Sequence, residues 1–92
     1  MLPTIRDGDI IIYKPLISLN EKHLIKEQSI LVLKEPFNPF NLIIKRLHYR
    51  TINGLYIQGD NPTESIDSRN FGFVSLDNLC GIVEHIITNP FA

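Results

Sequence analysis

Apolar positions in this chain come in short runs rich in isoleucine, leucine and valine, and glycine, proline and asparagine separate the runs. Runs of that length and β-branched content predict strands near residues 9–13, 29–34, 42–50, 55–58 and 81–87. Asn53-Gly54 is the strongest hairpin signal, because both residues tolerate the positive φ of a tight two-residue turn. Pro36 and Pro39 break the chain between the second and third strands. Helix is scarce. Asn20 can cap a short helix through Lys26, with Glu21 near the positive end of its dipole, and a single turn is expected around residues 76–79. The pattern contains no repeat and no linker. It predicts a mainly β fold with little helix, one compact domain over residues 1–92 built from coiled antiparallel sheets.

Bulk composition narrows the function classes. Ninety-two residues hold one modest core. A hydrophobic share of 43% and a charged share of 21% are ordinary globular values. A net charge of −1 supplies no basic face for nucleic acid. The single cysteine, Cys80, forms no internal disulfide, and no stretch has the length of a membrane span or the pattern of a signal peptide. A cytoplasmic protein without a membrane anchor is expected.

Two stretches carry chemistry. In FNLIIKRLHYR, strand alternation puts Ile43, Lys45, Leu47 and Tyr49 on one face and Leu42, Ile44, Arg46, His48 and Arg50 on the other. Lys45 is then the odd residue on the more apolar face. Burial disfavours the ammonium, and a lysine that is neutral near pH 7 can serve as a general base. The plainer alternative is a lysine that snorkels its head into water. The second stretch, GDNPTESIDSRNFG, is dense in turn-forming residues. Its Asp60, Asp67 and Arg69 are capable of a charge-assisted network that fixes the loop, and Ser65 and Ser68 can set a hydroxyl beside a functional group.

Other residues read plainly. Cys80 lies in LDNLCGIV, an apolar setting that suppresses thiol reactivity and suits a buried small residue. His23, His48 and His85 are scattered and lack the partner pairs of a zinc site. Arg46, His48 and Arg50 form either a small basic stripe or, more commonly, an ordinary solvated strand face, and Phe37 and Phe40 either cap the core, the preferred reading, or make an exposed partner contact.

Taken in order, MLPTIRDGD, IIKRL and GDNPTESIDSRNFGFV resemble the boxes of the type I signal peptidase superfamily, serine proteases with a Ser/Lys dyad on a mainly β fold. The middle box departs from that pattern, with Gln28-Ser29 where the family has Gly-Asp. By position, the resemblance implies that Lys45 is the general base and that Ser65 orients it. Asp67 and Arg69 would form a structural ion pair, supported by Asp60 and Asn61. Met1, Ile5, Ile43 and Ile44 would line the pocket for a small substrate side chain, and the Lys45 strand would pair with an extended precursor or leader peptide. The family's box reads Ser-Met-x-Pro-Thr, so the nucleophilic serine is expected directly before Met1. The chain as written would then hold the base without its nucleophile and be inactive.

Only thirteen residues separate Lys45 from Gly59. That compactness is most similar to the nickel-type superoxide dismutase maturation proteases, which would remove a leader so that the new N-terminus binds nickel. The resemblance implies no cofactor in the protease itself. Two other readings stay open: the core of an ordinary signal peptidase, and a non-catalytic peptide-binding or dimerisation module of the same fold.

Overall fold

The computed structural model describes residues 9–60 and 67–88. Five strands, β1 (Ile10–Pro15), β2 (Ile30–Glu35), β3 (Asn38–Thr51), β4 (Gly54–Gln58) and β5 (Leu79–Ile87), form one antiparallel sheet in the order β1-β5-β2-β3-β4. All five predicted strands are present, in a single sheet in place of several. Two four-residue helices, α1 (Leu19–Lys22) and α2 (Ser68–Phe71), and a 3-10 turn at Leu76–Asn78 complete the fold. Among the described residues no helix is long and apolar enough to cross a membrane.

The core lies on one face of the sheet. Leu31 and Leu33 of β2, Leu47 of β3, Leu55 and Ile57 of β4 and Leu79 of β5 meet there with Leu16, Ile25 and Val74. Ile43, Phe71, Leu76 and Ile82 pack around them. Each fully buried leucine or isoleucine is worth about 1.5–3 kcal/mol over leaving it exposed. Val32 points to the other face and is also buried, so the middle of β2 is covered on both sides and reads as an unbroken apolar run. At Gly81 a Cβ would lie 2.6 Å from the Lys14 carbonyl oxygen, so glycine is what lets β1 approach β5.

Several local expectations are corrected. Pro39 lies inside β3, not between strands. Glu35 pairs with Asn38 and Lys34 with Leu42, which leaves residues 39–41 bulged where the missing proline N–H costs no ladder bond. The hairpin after β3 turns through Ile52-Asn53, because Thr51 pairs with Gly54. Asn53 keeps a negative φ, and Gly54 alone takes the positive one, at +126°. A Cβ at Gly54 would also lie 2.6 Å from the Val74 carbonyl oxygen, so that position is closed to side chains twice over.

Helix α1 is one turn long, and Ser18 holds its start. Its hydroxyl accepts the Glu21 N–H at 3.1 Å and donates to the Glu21 carboxylate at 3.1 Å. A turn that short is marginal by itself, and Ile25 just beyond it anchors the segment in the core. Phe37 and Phe40 are not core residues. They project at the tip of the β2–β3 hairpin, 81% and 96% exposed, with Phe37 edge-on to Phe71.

Candidate functional site

Lys45 occupies the core face of β3, between Ile43 and Leu47 and paired across the sheet with Leu31. It is half-buried, and no hydrogen bond to its ammonium is found among the described residues. Burial is the strongest influence and pushes its pKa below 10.5. The Asp67 carboxylate pulls it back up, and the Arg69 guanidinium lowers it further.

Asp67 is the anchor of the following loop. It has no exposed surface. One oxygen accepts the Gly59 N–H at 2.8 Å, and the other accepts the Arg69 N–H at 3.0 Å. The Arg69 guanidinium adds a fork, Nε at 3.0 Å and Nη2 at 2.5 Å. Asp67 is also the N-cap of α2 in a reciprocal capping box, with the Asn70 side chain accepting the Asp67 N–H at 3.2 Å. Burial by itself would raise the carboxyl pKa. The Arg69 side chain and the Gly59 and Arg69 N–H groups outweigh it and hold the pKa below the usual 3.8. Ser68, next along, is buried, and its hydroxyl accepts the Ile57 N–H at 2.8 Å, which fastens α2 to β4.

The other side of β3 carries a second pair. Arg46 forks onto Asp60, Nε to Oδ1 at 2.9 Å and Nη2 to Oδ2 at 3.0 Å, and its Nη1 donates to the Gln28 carbonyl at 2.9 Å. This hydrogen-bonded carboxylate holds Arg46 more firmly protonated than usual. One side chain thus ties the turn before β2, the middle of β3 and the loop after β4. Gln28 is the one non-glycine residue at positive φ (72°) among the described residues, in the place where the signal peptidase pattern has glycine. Its backbone is held on both sides of the strain, since its N–H donates to the Leu47 carbonyl at 2.7 Å while its carbonyl accepts from Arg46.

The expected residues therefore sort into three groups. Lys45, Asp67 and Arg69 come together, with Ile43 on the same face of β3 as Lys45. Ile44 lies on the opposite face, paired with Val32, and Asp60 is held by Arg46. Met1, Ile5, Asn61 and Ser65 lie outside the described residues.

The basic stripe of Arg46, His48 and Arg50 does not form. Leu47 pairs with Ile57 and Tyr49 with Tyr56, so His48 is a bulge that reverses the alternation. Tyr49 therefore leaves the Lys45 face and stacks on Tyr56 at 5.0 Å, and Arg50 comes to lie with Leu55 on the core side. Cys80 is half-buried, with its thiol 3.7 Å from the Asn78 carbonyl.

Sequence reasoning missed the Arg46–Asp60 clamp and the buried role of Ser68. The clamp had a signal. Register through the β3–β4 hairpin carries Arg46 to Gln58, two residues from Asp60. Chemically, the arrangement offers a lysine whose charge is disfavoured, beside a carboxylate already satisfied by other donors and so a poor competitor for its proton. Compared with known protein families, with curated proteins and with solved structures, the chain finds no match.

Proposed function

We propose that this chain carries the general base of a Ser/Lys endopeptidase, a small cytoplasmic relative of the type I signal peptidases that removes the leader of a precursor protein. Following the sequence resemblance, the substrate is a nickel superoxide dismutase precursor. The observation that carries the reading is Lys45: a half-buried lysine on the apolar face of β3, its pKa lowered by burial, beside the fixed Asp67–Arg69 pair.

In this scheme the neutral Lys45 amine accepts the proton of a serine hydroxyl as the serine oxygen attacks the scissile carbonyl. The resulting ammonium gives that proton to the leaving amine as the C–N bond breaks. Water then hydrolyses the acyl-enzyme, with the same amine as base. Ser65 orients Lys45, and the Asp67 cap and the Arg46–Asp60 clamp hold the loop that bears Ser65 at both ends.

The test places a serine before Met1 and incubates the extended protein with a precursor peptide that carries its leader. Release of the leader, lost in Lys45→Ala, is the expected result. Full cleavage by the lysine variant would sink the base assignment. Peptide binding without cleavage would instead favour a non-catalytic binding module.

A further inference from the structure

Away from Lys45, an open cavity of about 710 Å³ lies at the far end of β3. Leu55, Phe73 and Leu76 give it apolar walls, His23 enters from the turn after α1, and Arg50 enters from β3. Arg50 is there because of the His48 bulge, which turns it from the outer face to the side of Leu55. The volume falls within the range of about 300–1,000 Å³ typical of small-molecule sites, which are mostly apolar with a few placed polar groups.

Charge decides what would fit. Arg46 and Arg69 are each clamped by an aspartate, whereas Arg50 has no hydrogen-bond or ion-pair partner among the described residues. The described lining includes a guanidinium and an imidazole and no carboxylate. A solvated surface arginine is the ordinary explanation of an unpaired guanidinium. Here it stands over an apolar floor, where a bare inorganic anion would leave the walls unused and a neutral apolar molecule would leave the cation unused. We propose that this cavity binds a small carboxylate with an apolar body, its carboxylate on Arg50 and its body against Phe73 and Leu76. This site is independent of the proposed protease chemistry.

The test titrates 4-phenylbutyrate into the full chain, followed by amide shifts in two-dimensional NMR. Saturable shifts confined to residues 50–55 and 73–76 are expected. The uncharged 4-phenylbutanamide should bind about tenfold more weakly, and acetate should not saturate, since a charge-assisted contact and apolar burial are both required. Arg50→Gln should raise the Kd of the acid about tenfold and leave that of the amide unchanged, a split that misfolding would not produce. Phe73→Ala, with its fold checked from the same spectra, should weaken both ligands alike. Equal binding of acid and amide, shifts elsewhere, or an unchanged Kd in Arg50→Gln would overturn the proposal.

Discussion

Lys45 and Arg46 are consecutive residues of β3, and the pleat gives them to different regions of the molecule. On the core face, Lys45 has Leu31 opposite it and no hydrogen bond among the described residues. On the outer face, Arg46 spends its guanidinium on Asp60 and the Gln28 carbonyl. Two cations of equal formal charge thus take opposite shifts, one pushed toward neutrality by burial and the other held charged by a carboxylate. Desolvation without compensation makes a group reactive, and desolvation with full hydrogen bonding makes it structural. The residue types suit these places. Lysine loses its proton readily, whereas a planar guanidinium stays charged and meets a carboxylate with two bonds.

The sharpest way to break this contrast is Lys45→Met in the serine-extended protein. Cleavage should fall by at least about a thousandfold, while the denaturation midpoint moves little because the stem volume is kept. Retained activity would make Lys45 an ordinary buried stem. Asp67→Ala should be the most destabilising change, by about 2–4 kcal/mol in denaturant unfolding, since it removes a cap and strands the Gly59 N–H. The depressed Asp67 pKa adds an acid signature: its stabilisation is complete above about 3.8 and fades as pH falls through the lower folded value. Asp67→Asn should lack that limb of the stability profile.

Arg46→Lys should cost about 1–2 kcal/mol in the same measurement, because an ammonium cannot reproduce the fork and reach Gln28 together. An unchanged midpoint would mean that only charge matters on the outer face. The smallest effect is the titration of Lys45 itself, followed by the carbon shift beside Nζ, with a midpoint expected below 10.5. By linkage the folded state gives up this proton first. The wild type should therefore gain stability relative to Lys45→Met as pH rises from the folded pKa toward 10.5. A midpoint at or above 10.5 would remove the physical basis of the general base.

Much of this was legible because it depends on local pattern. The apolar runs marked all five strands, and parity alone put Lys45 on the apolar face beside Ile43 and Leu47. What escaped depends on pairing. The His48 bulge exists only relative to β4, so alternation read along one strand misplaced Tyr49 and Arg50. Asp60 was grouped with its sequence neighbours Asp67 and Arg69, yet its partner lies fourteen residues back on another strand. Asn53-Gly54 signalled the correct hairpin one residue out of register, since the contact of Gly54 with Val74 is tertiary and decides which residue must be glycine. Phe37 and Phe40 looked like core because hydrophobicity says what a residue prefers, and a hairpin tip has no second layer to offer it.

The bulge at His48 has a consequence for how this sequence can vary. A strand with unbroken alternation ties its two ends together, so any slip that improves one end turns the other inside out. With a surplus residue at position 48, the Lys45 half and the Arg50 half of β3 keep separate frames. Deleting His48 would leave Leu47, Tyr49 and Arg50 in plain alternation opposite Ile57, Tyr56 and Leu55, so the bulge would vanish while both halves keep their faces. Position 48 is therefore a place where β3 can lose a residue without turning either half over, a kind of change that position-by-position comparison of side chains would overlook.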